Sequence, residues 1–537
     1  MIKAPFTALQ PFLNYLHRIK NGAIRLSPLK KALLVTALTL PLLAANLLLL
    51  HHKQAYISDD TIQQLVVQDW EAGQSHNVLL GEDTFFLKFP IYALLNLFGQ
   101  NSPLMLLGTM FLFLGGMIFL FNYLQFKLHK SLGYGLLLSL FIASFGGYVL
   151  FWLRIPNIRN IEMPLAMLSA FAATKLLLTD KPRKSLMFCL IGAMSLQAAN
   201  DPYVLYVFFA PLLPALFFIL NHKRARIVLR YAGLFAATYI GWRVTQYLLN
   251  GFGIQILAQH ITLFGGDVLD QIKNALIGLW YVLSNKQLSG GDVINSVVPV
   301  LALPVLLYAG AQFIKNERKK APQNIRWAFW FGLSIIAINM GTYIASGFVQ
   351  GAANHRYLVG LIFGLCLVLI SLSITRMRRI IMALLGLAIS CNLLANVVWA
   401  ANRPEVNNLE AVGTITNIVQ KTSGPYVGYA DYWRGNVNTF LSNRSLRILP
   451  MICNSQQITE YKWAANIPNF GAMSDKNSTF FIYLDNTVSS PSQHDYSTDT
   501  CTSNDIKRYF PHRSIDIYAL GGQKTLIILG KDTSEIK

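Results

Sequence analysis

The stretch ALLVTALTLPLLAANLLLLHHKQAYISDDT, residues 32–61, decides the fold. Residues 32–50 carry no charge, and a bilayer core needs about 20 apolar residues per helix because backbone in lipid must satisfy its own hydrogen bonds. Immediately beyond this run stand Ser58, Asp59 and Asp60, carboxylates set where the chain would leave the membrane. The stretch does not read as a secretory signal: it follows a basic segment of thirty residues, lacks a small-residue cleavage site, and is one of many such runs.

Working outward, comparable apolar runs fall at 32–50, 102–122, 132–153, 162–178, 185–200, 202–220, 229–249, 294–313, 327–347, 357–374 and 380–400. They predict a polytopic α-helical membrane protein of about eleven transmembrane helices. The composition agrees, with 53% hydrophobic residues and only 13% charged. A soluble protein of this size carries about 25% charged residues, so this chain lacks the polar surface to wrap its own core in water. The run at 185–200 is the weakest, because Ser195 and Gln197 interrupt it.

The formal charge of +20 would point to nucleic acid in a soluble protein. Here it sorts by side. With residues 1–31 cytoplasmic, the inner segments hold 23 Lys and Arg and the opposite loops 7. The excess is therefore a positive-inside topology signal, and no nucleic-acid partner is expected. Every inner loop of the eleven-span arrangement is basic, including those flanking the weak span. An odd number of spans then places the tail outside, and the chain is expected in the plasma (inner) membrane.

The chain divides into a cytoplasmic segment 1–31, a membrane domain 32–400 with long outer loops 51–101 and 250–293, and an outer tail 401–537. The tail reads as a small extracytoplasmic α/β domain. Helical stretches are expected near 405–421, 431–442 and 455–465, and strands at 426–429, 446–449, 480–484, 515–520 and 525–529. The five cysteines form no zinc pattern, but Cys453 and Cys501 both fall in the tail, where an oxidising compartment permits one disulfide. In the second outer loop, 254–263 and 272–283 read as amphipathic helices on the membrane surface.

Polar cost concentrates in the first outer loop. Asp59, Asp60, Asp69, Glu71, Glu82 and Asp83 share it with only two lysines, Lys53 and Lys88. A partly desolvated carboxylate near other acids has a raised pKa and serves as a proton acceptor near neutral pH. The bland alternative is that Ser58 or Asp59 caps a helix over 60–69. After Glu82 and Asp83 comes Phe85-Phe86-Leu87-Lys88-Phe89-Pro90-Ile91-Tyr92, then Leu94-Leu95-Asn96-Leu97-Phe98-Gly99. Later, Arg159-Asn160-Ile161-Glu162-Met163-Pro164-Leu165 opens the fourth span, and His355-Arg356-Tyr357-Leu358 opens the tenth.

In their order and common side these motifs resemble the GT-C superfamily of membrane glycosyltransferases, such as protein O-mannosyltransferases and lipid A aminoarabinose transferases. The likeness covers span order, loop lengths and four short motifs over about 400 residues. It implies an aspartate base just past the first helix, where Asp59 and Asp60 stand. It also implies a K-P-P-L…L-F-G-like stretch before the second helix, an acidic or basic turn before the fourth, and an R-Y-L opening of a late helix. One departure is clear: where relatives often carry a lysine near K-G-P after the fifth helix, this chain has Ala199-Asn200-Asp201-Pro202. With Asp201 in the pocket the site is more acidic than in those relatives, which leaves donor identity open and leaves room for a divalent metal.

The chemistry expected of such a layout follows directly. A sugar on a polyprenyl phosphate keeps its lipid in the membrane and its reacting carbon at the water face. A base, Asp59 or Asp60, deprotonates the acceptor hydroxyl, and cations stabilise the departing phosphate. Lys88, Arg159 and Arg356, with Tyr357, are the candidate donor and phosphate ligands; Arg154 is a further cation of this side, with snorkelling at the lipid interface as its bland alternative. Glu82, Asp83, Glu162 and Asp201 are candidate pocket acids. No cofactor is required by the sequence. The expected partners are the polyprenyl-phosphate sugar, an acceptor glycan, lipid or protein, and membrane lipids.

Arg243, inside the seventh span, calls for a carboxylate partner. In the tail, Gly428-Tyr429-Ala430-Asp431-Tyr432-Trp433 places aromatics beside an Asp, as in sugar contacts, although helix capping by Asp431 is the favoured reading. Two other classes compete with the transferase: a transporter or lipid flippase, against which stands the absence of an inverted repeat, and a non-catalytic assembly protein presenting its outer domain.

Overall fold

The computed structural model describes residues 26–53, 56–73, 78–81, 88–97, 101–155, 160–219, 224–257, 267–284, 293–317, 320–346, 357–407, 409–422, 424–453, 458–461, 465–466, 470–485, 501–521 and 524–534. It is mostly helical, with a sheet region near the C-terminus. Each of the eleven apolar runs carries helix. Among the described residues five helices are long and apolar enough to cross a membrane: Pro28–Lys53, Pro103–Leu128, Ser296–Lys315, Gln323–Ala345 and Arg378–Ala401. Leu132–Ala143, Leu205–Ile219 and Leu361–Leu372 are apolar but shorter.

Several polar residues within these apolar helices find partners inside the bundle. Thr39 Oγ1 donates to the Val35 carbonyl at 2.8 Å, and Asn122 Nδ2 donates to Thr36 Oγ1 at 3.0 Å while its Oδ1 accepts from Ser139 Oγ at 2.5 Å. The weak span is explained the same way. Ser195 Oγ donates to the Thr238 carbonyl at 3.2 Å and Gln197 Nε2 to Ser169 Oγ at 3.0 Å, so the residues that lower its hydropathy tie it to its neighbours. Helix Gln323–Ala345 meets Leu361–Leu372 through two glycines: a Cβ on Gly332 would lie 2.6 Å from the Gly364 carbonyl oxygen, so only glycine permits this backbone approach.

The run at 132–153 is not one helix. It stops at Ala143, turns through Ser144, Phe145 and Gly146, and restarts as Gly147–Arg154. Two freed carbonyls and the Ser144 hydroxyl are taken up by three buried asparagines. Asn46 Nδ2 donates to the Ala143 carbonyl at 2.7 Å, Asn396 Nδ2 to that of Ser144 at 3.1 Å, and Asn392 Nδ2 to Ser144 Oγ at 3.1 Å. Gly146 is packed so tightly that any Cβ there collides with the Asn396 side-chain amide. Gly146→Ala is therefore expected to lower stability by about 1–3 kcal/mol, the usual cost of overpacking, read as a lower midpoint of thermal unfolding in detergent.

Three further expectations are corrected. Residues 254–257 are not helical: they form strand β2 (Ile254–Leu257), parallel to β1 (Val78–Gly81), which pairs on its other edge with β6 (Ala465–Asn466). Ladder bonding to the first-loop strand overrides the helical reading of this short apolar run; 258–263 lie outside the described residues. The 272–283 stretch is helical within Val268–Leu283, capped by Asp267, whose side chain accepts the Leu269 N–H at 2.8 Å. The 455–465 stretch also yields strand, β5 (Ile458–Glu460), which pairs antiparallel with β4 (Arg447–Cys453). Finally, Arg243 is exposed on helix Arg224–Gly251, where among the described residues Gln246 Oε1 at 3.3 Å and the Trp242 ring at 5.7 Å replace the expected carboxylate.

The sheet of the tail has six strands in the order β5-β4-β3-β7-β9-β8, where β3 is Val427–Ala430, β7 Phe480–Asp485, β8 Arg513–Gly521 and β9 Lys524–Asp532. β3 runs parallel to both β4 and β7, and the remaining pairs are antiparallel. The parallel centre is buried on both faces, which is why Phe480–Asp485 is buried throughout instead of alternating. Helices Glu410–Lys421 and Tyr432–Leu441 lie where helix is expected, and Asp431 caps the second by accepting the Arg434 N–H at 3.1 Å. Helix Ser503–Tyr509, opened by a Thr502/Asp505 capping box, was not anticipated. Cys453 and Cys501, with Cα atoms 5.5 Å apart, form a disulfide over a separation of 48 residues. A loop of that length predicts a loss of about 2–4 kcal/mol when Cys501→Ser opens it, measured as a reductant-insensitive drop in unfolding midpoint.

Candidate active site

The chain leaving helix Pro28–Lys53 makes a single 3-10 turn, Ser58–Asp60, before helix Ile62–Glu71. Neither Ser58 nor Asp59 caps that helix, so the bland alternative fails. Instead the three polar side chains of the turn take separate partners. Ser58 Oγ accepts the Asn436 N–H at 3.1 Å and Asp59 Oδ1 accepts the Tyr432 hydroxyl at 2.5 Å, both from the tail helix Tyr432–Leu441. Asp60 turns the other way. Its Oδ2 accepts the Ile57 N–H at 2.9 Å and lies 3.7 Å from Arg154 Nη2.

Arg154 ends the short helix that follows the Ser144–Gly146 break, so the broken span is what delivers a guanidinium to the acid. It is buried, not snorkelling, and its guanidinium stands 5.7 Å from the Tyr56 ring. The Tyr56 hydroxyl in turn donates to the Pro103 carbonyl at 3.2 Å and is 2.6 Å from His51 Nδ1. Asp60 Oδ1 is buried and has no hydrogen-bond partner among the described residues. Burial pushes the Asp60 carboxyl above its ordinary range, against the opposing pull of Arg154 and of the Ile57 N–H.

A second buried ion pair lies nearby. Lys88 Nζ is 2.7 Å from Glu162 Oε1, with both side chains almost fully excluded from solvent, and Nζ sits 5.2 Å from the centre of the Phe113 ring. Tyr92, one turn after Lys88, packs edge-on to Phe113 at 5.5 Å. Its hydroxyl is pushed well above the ordinary tyrosine range by burial, then by the charges of Glu162 and Asp60. Tyr92 thus lies within the fields of both pairs. Buried pairs of this kind are a poor source of stability, since desolvation offsets most of the attraction, which makes this cluster a candidate functional site.

The other predicted residues are placed unevenly. Asp201 is buried, its Oδ1 accepts the Tyr203 N–H at 3.0 Å, and its charge acts on Glu162. The Tyr203 hydroxyl donates to the Tyr357 carbonyl at 2.5 Å and accepts from Asn339 Nδ2 at 2.9 Å, tying the start of the tenth span to the Asp201 loop. Glu82, Asp83, Arg159 and Arg356 lie outside the described residues. Among the described residues no group of three or more His, Cys, Asp or Glu is arranged to hold a metal ion.

Sequence reading missed the pairing of Arg154 with Asp60, the part played by Tyr92, and the contact of Tyr432 with Asp59 across 373 positions. The Gly428–Trp433 motif drew attention to Tyr432 as a sugar contact or as part of a capped helix, but nothing in it points to the first loop.

The chain matches no family model and no curated protein. Among solved structures it is similar to the crystal structure of ArnT from Cupriavidus metallidurans bound to undecaprenyl phosphate, with a TM-score of 0.48 and 10% identity over 92% of this chain and 97% of that one. At that score and identity the likeness carries no weight for activity, and the reading below rests on the side chains.

Proposed function

We propose that the chain is an integral-membrane glycosyltransferase of GT-C type, transferring a sugar from a polyprenyl-phosphate donor to an acceptor on the outer face of the plasma membrane. In this reading eleven helices cross the bilayer, residues 1–31 are cytoplasmic, and 401–537 form the outer domain. The observation that carries it is Asp60: a buried carboxylate in the 3-10 turn that follows the first apolar helix, beside Arg154, with one oxygen uncommitted.

The acceptor hydroxyl gives its proton to Asp60 as its oxygen bonds the sugar's anomeric carbon, and the bond from that carbon to the phosphate oxygen breaks with its electron pair going to the phosphate. Arg154, and Arg159 and Arg356 from the same side, are the cations for the phosphate. Lys88 is engaged by Glu162, so its contribution is to hold the pocket acid in place as much as to meet the donor.

A transporter or lipid flippase needs charges along a path through the bilayer. Apart from Lys31 at the other end of the first span, the buried charges of the membrane domain gather instead at one set of helix ends: Asp60 after the first span, Lys88 before the second, Arg154 and Glu162 around the loop joining third and fourth, and Asp201 after the fifth. That favours the transferase. Membranes bearing the protein, incubated with a panel of radiolabelled polyprenyl-phosphate sugars, are expected to transfer label from at least one of them, with Asp60→Asn inactive and Asp59→Asn retaining turnover. No transfer from any donor by folded protein removes the proposal.

A further inference from the structure

At the end of the first span opposite the acids, the helices Pro28–Lys53, Leu132–Ala143 and Arg378–Ala401 all begin, and two contacts hold their starts together. Lys31 Nζ, in the first turn of Pro28–Lys53, donates to the Lys130 carbonyl at 3.3 Å. Arg378 Nη2 donates to Ser131 Oγ at 3.2 Å, and Ser131 caps Leu132–Ala143 by accepting the Tyr134 N–H at 3.4 Å. The side chains gathered here include Lys30, Lys31, Lys130, Arg378 and Arg379, and none of the three helices has an acid in its first turn.

The balance of charge is of one sign. Helix N-termini are themselves partly positive, so acids there are favourable and bases are not. The chain cannot supply the missing anion from the segments that build this place: no Asp or Glu occurs in residues 1–58, 84–161 or 318–404. Among the described residues none of these five cations takes part in an ion pair. Lys31 is 4% exposed, so its ammonium is a largely desolvated charge that meets a carbonyl and no carboxylate, an arrangement that an anion close by would relieve. Burial, and then the Arg378 charge, push the His129 imidazole below its ordinary value, as a positive field at the same turn requires.

The surface just past the cations decides the kind of anion. Leu33, two residues after Lys31, and Ile380, directly after Arg379, are exposed, and both belong to helices apolar enough to cross a membrane. Lys130, Arg378 and Arg379 are exposed as well. Accessible cations thus stand at the rim of an apolar wall, which suits a phosphate carrying acyl chains more than a phosphate free in water.

We propose that this convergence binds the phosphate of an anionic phospholipid, with Arg378 and Lys130 as its ligands and the acyl chains along Leu33 and Ile380. Arg378 offers a fork of N–H donors and Lys130 a point charge. Lys31 adds charge from behind and, through the Lys130 carbonyl, holds the turn in place. With residues 1–31 cytoplasmic the lipid belongs to the inner leaflet; that assignment alone rests on the topology proposed above, and the binding does not.

The test is equilibrium binding to the purified full chain in a non-ionic detergent, using tritiated dioleoyl phosphatidylglycerol and tritiated dioleoyl phosphatidylcholine, which share acyl chains and differ in net charge. Phosphatidylglycerol is expected to bind saturably and phosphatidylcholine about tenfold or more weaker, the worth of a charge-assisted contact. Lys130→Gln with Arg378→Gln is expected to remove that preference. Lys181→Gln with Lys184→Gln, which takes the same charge from another exposed loop, is expected to keep it, and unfolding midpoints check that both double variants are folded. A large molar excess of inorganic phosphate is expected to leave the lipid bound; displacement by it would identify a free phosphate as the ligand and overturn the lipid assignment. Equal binding of the two lipids by wild type, or an unchanged preference in the folded Lys130/Arg378 variant, overturns the site. An equal loss in the Lys181/Lys184 variant does so too, because net charge alone would then attract the lipid. Asp60→Asn is expected to bind phosphatidylglycerol as wild type does while losing sugar transfer, so failure of this site and failure of the transferase reading are told apart.

Discussion

Asp60→Asn is expected to abolish sugar transfer, lowering turnover by about 10²–10⁴-fold, the range for loss of a positioned general base. Asp59→Asn is expected to cost far less, because Asp59 is engaged by Tyr432 and serves to hold the tail helix on the loop. Its cost should be matched by Tyr432→Phe, which removes the same hydrogen bond from the other side. The pH dependence follows in sign. The base acts as the carboxylate, and burial raises its pKa, so activity falls as pH drops through a value above the ordinary carboxylate range. Arg154 opposes that rise, so in Arg154→Gln the acidic limb of the profile moves further toward neutral pH. A limb that stays in the ordinary carboxylate range in both proteins would count against Asp60 as the base.

The Lys88–Glu162 pair gives the second large effect. Removing one partner leaves a buried uncompensated charge, so Lys88→Met is expected to destabilise the protein by about 3–5 kcal/mol. Replacing both, Lys88→Met with Glu162→Leu, is expected to recover most of that stability, because well-packed apolar residues substitute for a buried pair at little net cost. If the pair only stabilised the fold, activity would return with stability. The transferase reading predicts that the double variant folds and remains inactive. Unfolding midpoints and transfer rates on the same preparations separate these outcomes.

The helices were legible in the sequence because lipid solvent imposes a simple rule: every apolar run carries helix, and Ser195 and Gln197, which blur one run, are polar residues bonded to neighbouring helices. The break at Ser144–Gly146 was not legible, because it is sustained by Asn46, Asn392 and Asn396 from two distant helices. No periodicity within 132–153 reports on residues that far away. The same cause hid the site's wiring. Asp60 and Arg154 are visible as polar residues near membrane depth, but a lone cation in that place reads equally as an interfacial side chain. Only the break that reorients Gly147–Arg154 makes it the partner of the acid. In the tail, 458–460 became strand because β4 offered it a ladder edge, and ladder pairing outweighs helix propensity over so short a stretch.

The central claim, that these buried charges cleave a lipid-linked sugar and do not merely move it, is tested most directly in proteoliposomes loaded with polyprenyl-phosphate sugar labelled in the sugar. The account predicts that label leaves the lipid fraction and appears on the acceptor, in wild type and not in Asp60→Asn. Label that stays on the lipid but changes its side of the bilayer, equally in both proteins, would contradict it and identify a flippase.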